Sequence, residues 1–438
     1  MRIAMVGVGY VGLVSGACFS EFGFDVVCVD QDATKIKQLC EAKISIFEPG
    51  LDALVTSNLN ANRLSFTTDL ATAVRGADAV FISVGTPSRH GDGYADLTYV
   101  HAAVEEIVRA LDGYTAVVMK STVPIGTARE VQNELRKLAP ECDADVVSNP
   151  EFLREGSALS DFMRPDRVII GAESEKAREV MRKIYRPLHL IKTPLHFTTW
   201  EAAELTKYAA NSFLAMKVTF MNEIADLCEK VGADVHEVAS GIGFDGRIGA
   251  KFLHPGPGYG GSCFPKDTRA LVEMAKRASS PLRLIETVVE VNKKRKKQMA
   301  KRILVALGQR PSGKTVAILG LTFKPNTDDI RESPSLDIVP DLEEAGVHVR
   351  AFDPEGMAEA KKYLKNITYC VDSYEAMEGA DALVILTEWN EFRNLDIKRM
   401  KQCLRHPVVV DLRNVCNPIE MRAAGFDYQA IGRLLSTA

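Results

Sequence analysis

Cys263 sits in the run GYGGSCFPKD (258–267), wrapped in glycine and followed within four residues by Lys266 and Asp267. A nucleophilic cysteine needs access, a lowered pKa and room for a carbon atom to approach. Glycines at 258, 260 and 261 keep side chains out of that approach and free backbone N–H groups for an oxyanion or phosphate. Lys266 adds positive charge, and Asp267 shares a face with Cys263 if a helix opens at Pro-Lys-Asp. The plainer alternative is a small buried cysteine at a tight turn. Lys207 and Asn211, in ELTKYAANSF, have the same i, i+4 spacing; on one helix face they would hold a developing oxyanion, or form an ordinary solvated face. Glu151 and Glu155, in NPEFLREG just after a strand-like run, offer a general base, or charge that complements a helix N-terminus.

A second constellation opens the chain. Gly7, Gly9 and Gly12 form GVGYVG, with Tyr10 and Val11 between them, directly after the apolar run RIAMV. A bare GxGxxG says little, but here it follows a strand, opens a helix and is succeeded by DVVCVD ending in Asp30. Gly7 permits the tight turn, Gly9 lets a pyrophosphate approach the backbone at the positive helix end, and Gly12 lets helix and strand pack closely. Asp30 would accept hydrogen bonds from the adenine ribose and repel a 2′-phosphate, which selects NAD over NADP. The alternative is a dinucleotide fold that has lost its cofactor.

These residues need a frame, and the pattern supplies one. RIAMVGV, DVVCVD, AVFISVG, AVVMKSTV and ADVVSNP read as buried parallel strands alternating with amphipathic helices, hence a doubly wound α/β sheet. Near residue 200 the period changes. Residues 198–232 read as one long helix or two joined ones, and 280–307 as another. Strand-like runs return at KTVAILGLTFKP, HVRAFDP, ADALVILTEW and PVVVDLRN. The expected division is 1–197, 198–307 and 308–438. The third part repeats the plan of the first, but GLTFKP replaces GxGxxG, so it should not bind a dinucleotide in the same way.

Bulk properties exclude several classes. The chain has 438 residues, 46% hydrophobic and 26% charged, which suits a multidomain globular protein. A net charge of −4 gives no reason to expect nucleic acid. The basic run NKKRKKQMAKR (292–302) reads as the solvated end of a long helix. Nine scattered cysteines without a CxxC argue against disulfides or a zinc site and for a reducing cytosol. The uncharged stretch Ile3–Ser20 is broken by glycines and reads better as a strand running into a glycine turn than as a signal peptide, and no other apolar run reaches membrane-span length.

Taken together, GVGYVG, VGTP (84–87), KSTVPIGT (120–127), NPEFLREG (149–156), ELTKYAANSFLAMK (204–217), GFDGRIG (243–249), GYGGSCFPKD and GLTFKPNTDDIRESPS (320–335) make the whole chain resemble the UDP-glucose/GDP-mannose dehydrogenase family, with no departure at a catalytic position. The resemblance implies a Rossmann-like NAD domain, a central helical segment that builds a homodimer or larger homo-oligomer, and a C-terminal Rossmann-like domain for the nucleotide of a sugar. It implies oxidation of the C6 alcohol of UDP-glucose to a carboxylate with two NAD⁺ and one water. On it Cys263 is the nucleophile, Lys207, Asn211 and Asp267 surround the C6 oxygen, Glu155 serves thioester hydrolysis, and Thr122 orients water and touches NAD. Substrate contacts fall on Glu151, Phe152 and Leu153, on Phe252, Leu253, His254, Pro255 and Gly256, and on Gly260, Phe323 and Lys324. Arg247 reaches the neighbouring subunit's substrate. Besides the glycine loop, Asp30, Lys35, Thr86, Lys266 and Arg331 contact NAD. The rivals are another nucleotide-sugar dehydrogenase, for GDP-mannose or UDP-N-acetylmannosamine; a two-electron 3-hydroxyacid or 6-phosphogluconate type of enzyme; and an NAD-binding redox sensor without turnover.

Overall fold

The computed structural model describes residues 1–87, 89 and 94–433. Contacts divide the chain into two compact units, Met1–Ala210 with Glu273–Ala278, and Asn211–Val272 with Ser279–Ala438.

The first unit is built on eight strands: β1 (Arg2–Val6), β2 (Asp25–Val29), β3 (Leu64–Thr67), β4 (Ala79–Ile82), β5 (Thr115–Met119), β6 (Ala144–Ser148), β7 (Val168–Gly171) and β8 (Leu195–Thr198). Their spatial order is β3-β2-β1-β4-β5-β6-β7-β8. All neighbours are parallel except β6 and β7, which meet antiparallel at Ser148 and Gly171. Helices cover both faces, so β1 is apolar beyond Arg2: Ile3 and Met5 enter one core, Ala4 and Val6 the other.

The second unit carries six parallel strands: β9 (Thr315–Leu319), β10 (His348–Phe352), β11 (Thr368–Tyr369), β12 (Ala382–Ile385), β13 (Val408–Asp411) and β14 (Asp427–Ala430). The order β11-β10-β9-β12-β13-β14 repeats that of the first six strands of the other sheet. Val316 and Ile318 pack on one side with Met221 and Ala225 and with Met299 and Ile303, which come from two long helices.

Residues 200–231 form a single unbroken helix, Trp200–Val231, and residues 283–306 a second, Arg283–Ala306. On the first, Phe213, Phe220 and Leu227 are exposed at seven-residue intervals, an apolar stripe along one face. The basic run departs from its expected place. It lies inside the helix Arg283–Ala306, where Asn292, Arg295 and Lys296 are buried while Lys293, Lys294 and Lys297 are exposed. Three of its polar residues therefore face inwards. Among the described residues no helix is long and apolar enough to cross a membrane.

Candidate active site

The glycine loop of the first unit follows β1. Gly7 has φ +92°, and a Cβ there would lie 2.7 Å from the Ser83 carbonyl oxygen. A Cβ on Gly12 would fall 1.9 Å from the Gly7 oxygen, so no side chain fits without displacing the turn. Gly9 differs: nothing lies within 4 Å of its missing Cβ. Its bareness serves no internal packing and leaves open space at the N-terminus of the helix Tyr10–Glu21, where backbone N–H groups favour an anion. This cradle fits a dinucleotide pyrophosphate.

Asp30, at the end of β2, accepts from the backbone of Val8 at 2.9 Å and of Asp32 at 3.1 Å, and from Lys35 Nζ at 3.0 Å. Burial opposes its charge, but these N–H groups and Lys35 outweigh it and hold the carboxyl below its ordinary pKa. Asp30 thus also anchors the glycine loop, and Lys35 stands beside it. The loops after β4 and β5 are joined by Thr86, whose hydroxyl donates to the Thr122 carbonyl at 2.9 Å.

Glu48 carries no sequence signal, yet it ties two candidate segments together. Its buried carboxylate accepts the Tyr10 hydroxyl and the N–H groups of Gly156 at 2.6 Å and Ala158 at 2.7 Å. Burial and the Glu48 charge both push the Tyr10 phenol up, so it stays a donor. The segment carrying Glu151 and Glu155 is thereby fastened to the dinucleotide turn. Lys207 is also placed: its Nζ lies 3.0 Å from Glu151, with 3% and 7% of the two side chains exposed. The Phe152 ring lies 5.3 Å from the ammonium and 3.7 Å from the Arg167 guanidinium. One turn earlier on the same helix, Glu204 accepts from Gly126 and Ala128, fixing the helix to the start of Thr127–Leu138.

In the second unit Cys263 immediately precedes the helix Phe264–Arg277, and its carbonyl accepts the Asp267 N–H at 2.8 Å. The part-exposed thiol therefore sits at the positive end of a 14-residue helix, a setting that favours thiolate. Seven of the other eight thiols, those of Cys18, Cys28, Cys142, Cys228, Cys370, Cys403 and Cys416, are pushed up by burial and are poor nucleophiles. Asp267 is 1% exposed; it accepts from Asn211 Nδ2 at 2.6 Å and pairs with Lys266 at 2.8 Å. Asn211 thus belongs to the Asp267 group, and Lys207 to the Glu151 pair.

The glycines before Cys263 have a different use from the one their composition suggests. A Cβ on Gly260 would lie 2.3 Å from the Glu332 carbonyl oxygen, and one on Gly261, at φ +84°, 2.7 Å from the Phe323 ring. The Gly261 N–H is already given to the Arg331 carbonyl. These two positions are bare so that the loop can pass close to residues 323–332. The loop is then clamped by the buried members of the basic run. Asn292 accepts the Tyr259 N–H at 2.8 Å and donates to its carbonyl at 3.0 Å. Arg295 donates to the Gly256 carbonyl and pairs with Asp226, and Asn222 accepts the Gly256 N–H. Lys296 donates to the Glu332 carbonyl and pairs with Asp337.

The other expected contact residues fall on the same unit. Phe252 has φ +66°, its ring 6.1 Å from that of Phe264. Leu253, Pro255 and Gly256 are buried, and His254 is exposed. Lys324 Nζ stands 5.3 Å from the Phe323 ring, and Arg331 forks onto Asp329. Arg247 is 90% exposed and paired with Asp245. Arg413 was not singled out by any motif; it donates to the Phe323 carbonyl at 2.9 Å and the Leu386 carbonyl at 2.7 Å, and a Cβ on Gly256 would lie 3.2 Å from its guanidinium.

The second sheet has its own turn at Gly320, also at φ +92°, where a Cβ would meet Thr387. Asp353 follows β10 as Asp30 follows β2. Its carboxylate accepts six protein donors: Leu321 N, Thr322 N and hydroxyl, Trp389 Nε1, Glu355 N and Gly356 N. It has no capacity left for a ribose.

The sequence matches three consecutive models of one family: the NAD binding domain over residues 1–189, the central domain over 201–294 and the UDP binding domain over 317–418. The chain belongs to the UDP-glucose/GDP-mannose dehydrogenase family. It is 58% identical over 435 residues to the UDP-glucose 6-dehydrogenase of Rhizobium meliloti (strain 1021), covering 99% of this chain and 100% of that one. It is 49% identical to UDP-glucose 6-dehydrogenase TuaD of Bacillus subtilis (strain 168), covering 99% and 93%. A solved UDP-glucose dehydrogenase from Pyrobaculum islandicum superposes with a TM-score of 0.91 at 37% identity, covering 99% and 98%. The fold and the NAD cofactor read from the sequence are those of this family.

Proposed function

We propose that the protein oxidises UDP-glucose to UDP-glucuronate with two NAD⁺ and one water. The observation that carries the reading is Cys263, a part-exposed thiol at a helix N-terminus in a loop clamped on both sides, in a chain whose relatives include UDP-glucose 6-dehydrogenases. When bound, NAD⁺ accepts a hydride. The first oxidation takes hydride from C6 and a proton from its hydroxyl, which Asp267 receives through a water. The aldehyde has no hydride to give easily until something adds to it. Cys263 sulfur bonds to C6, giving a thiohemiacetal whose oxygen is steadied by Lys207 and Asn211. Loss of a second hydride and of the hydroxyl proton leaves a thioester. Water, oriented by Thr122 and Glu155, adds to the carbonyl; the C–S bond breaks and the thiol is restored.

In the same reading Gly7, Gly9, Tyr10, Val11, Gly12, Asp30, Lys35, Thr86, Thr122, Glu155, Lys266 and Arg331 serve NAD. Residues 151–153 and 252–256, Gly260, Phe323 and Lys324 serve the UDP-sugar. The division 1–197, 198–307 and 308–438 is supported by the three consecutive matches. The stripe Phe213, Phe220 and Leu227 supports a homodimer built on the long helix, with exposed Arg247 available to a second copy. A cytoplasmic location accords with nine free cysteines.

The test counts NADH per sugar for UDP-glucose, UDP-galactose, GDP-mannose and UDP-N-acetylmannosamine. Two NADH per UDP-glucose are expected, and one would favour a two-electron enzyme. Folded Cys263→Ala should bind both ligands and form no acid. Wild-type production of UDP-glucuronate by that variant would sink the covalent route.

A further inference from the structure

One buried cation of the first unit has no task in that reaction. Lys120 directly follows β5 and is 4% exposed. Its ammonium donates to Asn149 Oδ1 at 3.1 Å and to the Tyr185 hydroxyl at 3.3 Å, both neutral. Tyr185 donates to the same Asn149 oxygen at 2.6 Å, and Asn149 Nδ2 donates to the Ile169 carbonyl at 2.8 Å. Two residues beyond Asn149 stands Glu151, the partner of Lys207. The Glu151 charge favours the protonated form of Lys120, and the Lys207 charge disfavours it. The three side chains therefore share one electrostatic neighbourhood.

The charge count decides what this neighbourhood can do. A Lys207–Glu151 pair alone is neutral and offers an oxyanion a dipole. With Lys120 protonated the group carries one net positive charge, which in a poorly polarisable interior acts over several ångströms. We propose that Lys120 is a positioning residue of the oxidation: it supplies the net positive charge behind the Glu151–Lys207 pair and, through Asn149, fixes the strand end from which Glu151 projects. The proposal rests on the reading above, in which Lys207 faces the oxygen at C6.

The groups facing Lys120 are Asn149 and Glu151 from the segment after β6, Tyr185 from the helix Glu175–Tyr185, Lys207 from the long helix, and the Phe162 ring at 5.9 Å. Burial pushes the Tyr185 phenol up, so it stays neutral. Burial, aided by Lys207 and opposed by Glu151, brings Lys120 down to about 8. The group then loses its net charge as pH rises through that value, and turnover should fall with it. In the unfolded chain Lys120 holds its proton to higher pH. Between the two values the unfolded state binds more protons, so this residue makes the fold more stable as pH rises.

The experiment compares full-length wild type, Lys120→Met and Lys120→Arg with UDP-glucose and NAD⁺ across pH 6.5 to 10. Lys120→Met should lower kcat at pH 7 by roughly tenfold or more, as loss of one electrostatic contributor does, leave the KM for NAD⁺ unchanged and lose the basic limb. Lys120→Arg should recover most of kcat and move that limb upwards. Melting curves over the same range should show the wild type gaining stability relative to Lys120→Met above pH 8. Folded Lys120→Met with wild-type kcat and pH profile would overturn the proposal alone. So would a loss of kcat that Lys120→Arg leaves unrepaired at every pH. If Lys120→Met does not fold, an unmoved basic limb in Lys120→Arg overturns it. Wild-type protein that does not oxidise UDP-glucose would remove the reading of function and this proposal with it.

Discussion

Gly260→Ala tests whether the loop before Cys263 is held as tightly as its contacts indicate. The new methyl would lie 2.3 Å from the Glu332 carbonyl oxygen and 3.2 Å from Phe323 Cβ. Neither side yields easily. Lys296 holds the Glu332 oxygen, Asn292 holds both backbone groups of Tyr259, and Arg331 takes the Gly261 N–H. Relieving the contact requires a shift of about 1 Å three residues before the thiol, and misplacement on that scale costs roughly a hundredfold in rate. Overpacking of this kind costs about 1–3 kcal/mol of stability, so the protein should fold and melt a few degrees lower. The assay is kcat for NADH formation with UDP-glucose, alongside the rate of Cys263 alkylation. Gly241→Ala, in the helix Val235–Gly243 with nothing within 4 Å, is the control. It should keep full activity and gain up to about 1 kcal/mol. Gly260→Ala within twofold of wild type in kcat would refute the reasoning.

Two further variants probe other parts. Asp30→Ala should weaken NAD⁺ and raise the ratio of NADP⁺ to NAD⁺ in kcat/KM, because it removes the proposed ribose acceptor and leaves Lys35 available to a 2′-phosphate; an unchanged ratio would take Asp30 out of the ribose site. Phe220→Asp should shift the protein towards monomer in sedimentation velocity, since it would place a charge in the middle of the apolar stripe proposed as the dimer contact; an unaltered assembly would exclude that face as the contact.

Much of the frame was legible because buried parallel strands are continuous apolar runs. RIAMV, DVVCV, TAVVM and TVAIL announce themselves. LSFT, LHFT, TY and DYQA do not, being short, part-exposed strands at sheet edges. At the site, local motifs gave the residue types but not their partners. Lys207 meets Glu151, and Asn211 meets Asp267, each across 56 positions, which no i, i+4 argument can supply. Glu48 acts on groups 38, 108 and 110 residues away and carries no local mark. The basic run misled because charge usually means solvent. Arg295 and Lys296 are buried because loop carbonyls far along the chain need donors.

The saturated carboxylate of Asp353 bears on timing. Of the two sheets, which share the order of six strands, the one bearing Asp30 and its open glycine turn is the proposed seat for the dinucleotide. In the proposed reaction the two hydrides must then leave through that one seat in succession. Reduced cofactor has to depart and a fresh molecule arrive while the sugar is half oxidised. During that exchange an aldehyde held only by weak contacts would be free to diffuse away. A carbon–sulfur bond to Cys263 acts as a tether for the length of the pause, so the leakage of aldehyde into solution is set by a race between breakdown of the thiohemiacetal and the arrival of the next NAD⁺.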